Sequence, residues 1–299
     1  MDKTYTEKIK RLFYFAWLEL KRNLAGVKYF AEADVTDNCN LRCRHCYHFH
    51  GKNDFEKKEF TAAEWRKRFK SLHETGVRII MLVGGEPALR QDVLMLADEI
   101  FPIVYVITNG TIRIRDDFKH ILFVSLEGGQ KINDYIRGEG TFQKTLKNYS
   151  GDGRVIINMT LQMENYKELE KVVKIAKDNG FRGVVCNICQ SGTHADKVLY
   201  QKSVKIRERE IIIKEVERVK ALYPKDFLIS KSMIKWYKKP DHKDGCYWSR
   251  ECLHFDVSWN KRRCFLKNVD CSNCGCFAGT FQNPLLTALR YPRETKMLV

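Results

Sequence analysis

Cys39, Cys43 and Cys46 stand in one short stretch, Asp37-Asn38-Cys39-Asn40-Leu41-Arg42-Cys43-Arg44-His45-Cys46-Tyr47. Thiolates with three and then two residues between them can grip three irons of a cubane and leave the fourth iron without a protein ligand. Structural zinc takes four closed ligands, so this spacing points to a cluster that does chemistry. Gly84-Gly85-Glu86-Pro87 follows the apolar run Val77 to Val83. There the glycines permit close backbone approach and the carboxylate suits an ammonium group.

A second thiol-rich region holds Cys246, Cys252, Cys264, Cys271, Cys274 and Cys276. Leu253 to Cys264 has the pattern of two short strands around a Trp259-Asn260-Lys261 turn. Cysteines on either side of such a hairpin, followed by Cys-Ser-Asn-Cys-Gly-Cys, gather enough thiolates for one more metal centre. The expected ligands are Cys264, Cys271, Cys274 or Cys276, and Cys246 or Cys252. Zinc is the alternative occupant, because four-cysteine sites of this spacing are common zinc knuckles. Cys186 and Cys189 are different. They lie in an apolar strand, where residues three apart face opposite ways, and buried free cysteines pack as small hydrophobes.

The elements that must hold these groups alternate between strand and helix patterns, which predicts parallel βα units. The predicted strands are Tyr29 to Thr36, Val77 to Val83, Ile103 to Thr108, Ile121 to Leu126, Arg154 to Gln162 and Gly183 to Gln190. Between them, Thr61 and Glu64 form a capping box, Phe60 can staple onto Trp65, and Gly76 supplies the stop. Asn165 with Glu168, then Leu169, Val172, Val173 and Ala176, repeats that logic before a stop at Gly180. Units of ~27 residues, close to the ~30 of a βα repeat, give an α/β fold, a partial (β/α)6 TIM-like barrel. On the fifth strand Asn158, Thr160 and Gln162 alternate with apolar neighbours. That face either turns to solvent or contacts cofactor or substrate. Val204 to Tyr223 is expected to be a long helix packing through Ile212, Val216, Val219 and Tyr223, ended by Pro224.

Composition suits a globular chain of one large domain plus an extension. The chain has 299 residues and 11 cysteines. Its apolar run Leu12 to Leu18 is too short for a bilayer span, and no signal peptide is evident. A reduced, cytoplasmic setting with metal-bound thiolates is the expectation. The divisions expected are 1–28, a basic amphipathic helix; 29–200, the partial barrel; 201–240, a helical linker; and 241–299, a small cysteine-rich extension.

Taken in order, these pieces resemble the radical S-adenosylmethionine (radical SAM) superfamily over roughly residues 29 to 190. The cysteine triplet resembles its cluster loop, and Gly84-Gly85-Glu86-Pro87 its GGE(P) turn. Thr108-Asn109-Gly110 is similar to its TNG strand end, and Val124-Ser125-Leu126-Glu127-Gly128 to its SLDG segment, with Glu127 where Asp is usual. Asn133 to Phe142 resembles its HDxxRGxGTF segment, with Asn133 replacing His. The resemblance implies a [4Fe-4S] cluster on Cys39, Cys43 and Cys46. It implies S-adenosylmethionine held near Gly84, Gly85, Glu86, Pro87, Thr108, Asn109, Ser125, Glu127 and Thr160. In such barrels the chemistry sits at the carboxyl ends of the strands, where all of these motifs fall. The tail is similar to the SPASM and twitch extensions of the same enzymes, which implies an auxiliary iron-sulfur cluster. Here Asn260 holds the hairpin position usually given to Gly.

The implied reaction is reductive cleavage of S-adenosylmethionine, with an electron from a donor such as ferredoxin or flavodoxin. The resulting 5′-deoxyadenosyl radical takes hydrogen from an unactivated carbon. A net charge of +16 favours an acidic or phosphorylated substrate, with a peptide or protein the first choice. An anionic lipid or small phosphorylated metabolite is the alternative. It is suggested by Lys8, Lys10, Arg11, Lys21, Arg22 and Lys28 around Ile9, Phe13, Trp17, Leu20 and Leu24, a pattern suited to peripheral contact with an anionic membrane surface. The plainer expectation is that this aromatic stripe packs on the barrel. A non-catalytic zinc- or cluster-bearing RNA-binding protein is the reading of another class; nucleic-acid-binding motifs are absent.

Overall fold

The structure is a computed structural model that describes residues 3–50, 59–189, 204–238, 246–264, 271 and 274–276. All six expected strands form: β1 (Phe30–Asp34), β2 (Ile79–Val83), β3 (Ile103–Thr108), β4 (Ile121–Ser125), β5 (Val155–Leu161) and β6 (Val184–Ile188). They pair in parallel in sequence order, with Glu32 opposite Met81, Met81 opposite Tyr105 and Ser125 opposite Asn158. Their near-continuous apolar sequence is what a parallel sheet covered on both sides requires. The sheet is open, as expected for a partial barrel. The expected boundaries at 200 and 240 and the last residue of the sixth predicted strand lie outside the described residues.

The hairpin of the cysteine-rich region joins the same sheet. β7 (Cys252–Phe255) runs parallel to β1, and β8 (Lys261–Arg262) returns antiparallel, giving the order β6-β5-β4-β3-β2-β1-β7-β8. Within the turn, Asp256 accepts hydrogen bonds from Ser258 N at 3.0 Å and Asn260 N at 2.8 Å. Trp259, rather than Asn260, takes the left-handed conformation, with φ 64°. Its ring stacks on Phe255, centroids 4.3 Å apart, and meets Trp65 edge-on at 5.5 Å. Aromatic packing thus holds a backbone state that costs a non-glycine residue energy.

Helices α1 (Lys3–Ala25), α2 (Tyr47–His50), α3 (Ala62–Glu74), α4 (Gln91–Ile100), α5 (Gln130–Arg137), α6 (Thr141–Tyr149) and α7 (Leu169–Asp178) fall around and between the barrel strands. The predicted start of α3 is present: Thr61 and Glu64 cap reciprocally, and the Phe60 and Trp65 rings meet at 5.7 Å. Asn165 departs from its predicted capping role. Its buried amide donates to Glu127 O and Thr160 O and accepts from Gln162 N, tying the ends of β4 and β5 together. α8 (Ile206–Leu222) buries Ile212, Val216 and Val219 as expected. α9 (Lys231–Lys238) and α10 (Tyr247–Glu251) lead back to β7.

α1 packs by the face opposite to the one expected. Phe15 and Leu18 are buried, and buried Glu19 receives Tyr29 and Arg22. Phe13, Trp17, Leu20 and Leu24 stay 41–79% exposed. The outer edge of β6 is covered at its start by the 226–228 segment, where Leu228 N donates to Val184 O. At its end it is covered by Gly275, whose carbonyl accepts from Ile188 N at 2.9 Å. Those contacts satisfy edge groups that would otherwise stay open.

Candidate active site

A cavity of about 220 Å³ opens at the carboxyl ends of β1 to β6. Its wall includes Cys39, Cys43 and Cys46 from the loop after β1, Gly84 and Gly85 after β2, Thr108 and Asn109 at the end of β3, and Ser125 from β4. Asn158 and Thr160 of β5, Asn187 of β6, Cys189 and Cys276 complete that polar rim. The polar face of the fifth strand therefore looks inward. Asn158 and Gln162 are buried, and Asn187 donates to Asn158 at 3.0 Å, so the solvent-facing alternative fails.

Close backbone approach joins the glycine turn to the cysteine loop. Gly85 N donates to Thr36 O at 2.7 Å, and Glu86 N donates to Asn38 O at 2.8 Å. A Cβ on Gly85 would collide with Asn38 O, so the position needs glycine on steric grounds. Asn109 then reaches Asn40 at 2.8 Å and lies 3.8 Å from Cys39 Sγ.

Two expected residues sit behind the wall. Glu86 is fully buried: one carboxylate oxygen accepts from Thr108 Oγ1 at 2.6 Å and Ala88 N at 2.8 Å, and the other from Asn109 N at 2.7 Å. Burial pushes its carboxyl up, against those three hydrogen bonds. Glu127 accepts from Arg137 Nη2 at 2.9 Å and from Thr160 N at 2.8 Å, with His45 at 3.4 Å. Burial alone would raise Glu127, but Arg137 and then His45 outweigh it and hold the carboxyl below its usual range. Pro87 is buried in the short helix Pro87–Arg90, also away from the lining.

Arg137 closes the loop from the other side. Its Nη1 lies 3.9 Å from Cys43 Sγ, and Arg44 N donates to Ile136 O at 2.9 Å. Burial raises the thiols of Cys39 and Cys43 and pushes Cys46 up to about 11. Such thiols become ligands when a cation displaces their protons. Three thiols opening on one cavity with no carboxylate among them form a donor set that fits an iron-sulfur cluster. Among the described residues no three Cys, His, Asp or Glu side chains converge as one metal ion requires.

In the tail, Cys246 caps α10, Cys252 opens β7, Cys264 follows β8, and Cys274 N donates to Cys271 O at 3.4 Å. Burial raises Cys252 and pushes Cys274 up to about 12; Cys246 adds a like-charge effect to both. Cys246 is thus the thiol common to the Cys252–Cys264 and Cys271–Cys274 neighbourhoods. Cys276, whose backbone hydrogen-bonds the Cys274 thiol, also lines the cavity wall. Cys186 is buried in the core as expected, whereas Cys189, one residue beyond β6, is buried against the cavity.

Several lining residues are not marked by any motif: Glu32 and Met81 on inward positions of β1 and β2, Tyr47 and His48 on α2, and Trp248 on α10. Strand alternation flags Glu32 as polar within an apolar run, but which face is inward depends on the whole sheet.

The model of the radical SAM superfamily matches residues 34–190, just over half of the chain. The pre-heme d1 synthase of Dinoroseobacter shibae is 32% identical over 162 residues, 49% of this chain and 40% of that protein. The sporulation killing factor maturation protein SkfB of Bacillus subtilis is 27% identical over 247 residues, 75% of this chain and 56% of SkfB. The chain thus spans about half the length of the curated relatives it matches. Streptococcus suis SuiB, in its crystal structure with the precursor peptide SuiA, shares the fold with a TM-score of 0.63 at 16% identity. That match covers 97% of this chain and 73% of SuiB. The superfamily match, with a relative named as a synthase, favours an enzyme over the non-catalytic RNA-binding reading. The chain belongs to the radical SAM superfamily, enzymes built on a [4Fe-4S] cluster and S-adenosylmethionine, and carries a cysteine-rich extension at its carboxyl end.

Proposed function

We propose that this enzyme modifies a peptide or protein by hydrogen abstraction. The observation that carries the reading is one cavity shared by the three loop cysteines, the glycine turn and a tail cysteine. In this reading Cys39, Cys43 and Cys46 hold the cluster, and S-adenosylmethionine lies along Gly84, Gly85, Thr108, Asn109, Ser125 and Thr160. When bound, cluster and cofactor together supply a 5′-deoxyadenosyl radical, fed by a ferredoxin or flavodoxin. Glu86, with Pro87 behind it, fixes the turn, while Glu127 fixes Arg137 and His45 beside the cysteine loop. Cys264, Cys271, Cys274 and one of Cys246 and Cys252 supply the four ligands of an auxiliary cluster, and Cys276 faces the substrate space.

The peptide choice rests on SkfB, a maturation protein that matches 75% of this chain, and on a fold shared with SuiB, whose structure holds a precursor peptide. The match to pre-heme d1 synthase favours a small molecule instead, over a shorter part of the chain. Mass spectrometry after anaerobic reaction decides between them. The peptide reading expects substrate-dependent 5′-deoxyadenosine and a mass change in a peptide; turnover with a small molecule alone rejects it. Cys43→Ala should abolish 5′-deoxyadenosine formation, whereas Cys276→Ala should leave part of it.

A further inference from the structure

Phe30, Glu32 and Asp34 are the alternating inward residues of β1, and two of them are carboxylates opposite apolar residues of β2, Met81 and Val83. Asp34 has a cation, Arg262, at 3.2 Å. Among the described residues Glu32 has no arginine or lysine. Its hydrogen-bond and ion-pair partner there is His254, its register partner on β7, with Nδ1 at 3.4 Å from Oε1, a cation only when protonated. Glu32 is only 6% exposed, and that exposure is to the cavity.

A buried carboxylate held by a single long contact is costly unless a partner of opposite charge arrives. Among the described residues the cavity offers no free arginine or lysine. Arg137 is the only one of those types in the described lining, and its guanidinium is committed to Glu127 at 2.9 and 3.1 Å. Glu86 and Glu127 are themselves saturated by hydrogen bonds and lie behind the wall. Among the described lining residues Glu32 is the one carboxylate, and no arginine or lysine pairs with it, although the chain as a whole carries +16.

Depth separates this charge from the cofactor motifs. Glu32 is level with Met81, three residues before Gly84 on β2, so it lies ~10 Å down the barrel from the glycine turn. Trp248 and Met81 stand beside it in the wall, an apolar and aromatic setting suited to an alkyl chain ending in a cation.

We propose that Glu32, positioned by His254, forms a subsite for a cationic nitrogen of the substrate, an ammonium or guanidinium at the end of an alkyl chain. The inference deepens the peptide reading by specifying a lysine- or arginine-type side chain inside the barrel. It reverses, for the site itself, the acidic substrate that net charge suggests.

The test is calorimetric titration of the anaerobically reconstituted holoenzyme with n-butylammonium, n-butanol and butyrate, on wild type and on Glu32→Gln. Because charge-assisted hydrogen bonds contribute more than neutral ones, wild type should bind n-butylammonium at least ~10-fold more tightly than the other two. Glu32→Gln should lose about that factor while its affinity for S-adenosylmethionine stays unchanged. Equal binding of n-butylammonium and n-butanol to wild type, or a preference for butyrate, overturns the proposal without reference to any variant. A parallel fall in S-adenosylmethionine affinity in Glu32→Gln also overturns it, because the carboxylate would then serve the cofactor. Probe binding needs neither a peptide nor turnover. A protein that binds n-butylammonium through Glu32 yet modifies no peptide keeps the subsite and loses only the peptide reading.

Discussion

Arg137 joins two networks, pairing with Glu127 at 2.9 Å and standing 3.9 Å from Cys43 Sγ. Removing it leaves a fully buried carboxylate uncompensated, the situation in which breaking an ion pair is most damaging. Arg137→Met should therefore cost ~3–5 kcal/mol in denaturant unfolding and lower the iron retained after reconstitution; a loss under 1 kcal/mol would contradict the pairing. Asp34 makes a separate prediction. Burial pushes its carboxyl up to about 7, against the pull of His48 and Arg262, so the native state prefers the protonated form. Its contribution to stability is complete below the unfolded value near 4 and is lost as pH rises through about 7. Unfolding free energy should accordingly carry a fall on the order of 4 kcal/mol across that window, and Asp34→Asn should flatten it. An unchanged slope in the variant would refute the assignment. At this scale the motif residues were legible because their neighbours are local in sequence. Glu32 and His254 were not, since they meet across 222 positions through a strand pairing that no local pattern announces.

Among the elements, α1 shows why amphipathicity alone does not say which face packs. Its sequence offers apolar residues on both sides, and the buried side is fixed by Phe15, Leu18 and the polar anchor of Glu19 with Tyr29 and Arg22. Leu18→Ala should destabilise the protein by ~2–5 kcal/mol, whereas Phe13→Ala should change it by less than ~0.5 kcal/mol. The reverse order, read by thermal or denaturant unfolding, would mean that the exposed stripe is the packed one. The capping box of α3 was legible because a cap is complete within four residues. The role of Asn165 was not, because its amide serves the tips of two strands rather than the helix that follows it.

For the whole molecule, the alternation of strand and helix was enough to give six parallel strands in sequence order. What it left out is the closure of the barrel's two flanks. The cysteine-rich tail looks like an appendage when met as sequence, yet β7 extends the sheet beyond β1 and Gly275 covers the far edge beyond β6. The tail is thereby brought to the cavity from both sides, with Trp248 and Cys276 in its wall. No described helix is long and apolar enough to cross a membrane. The central claim is that the three loop cysteines and the glycine turn form one site for a cluster with an open iron and its S-adenosylmethionine. It is tested most directly by measuring 5′-deoxyadenosine after dithionite reduction of anaerobically reconstituted protein, with iron and sulfide counted on the same sample. The account predicts cluster-loaded protein that releases 5′-deoxyadenosine, lost in Cys43→Ala; colourless protein that holds zinc at the loop and leaves S-adenosylmethionine intact would contradict it.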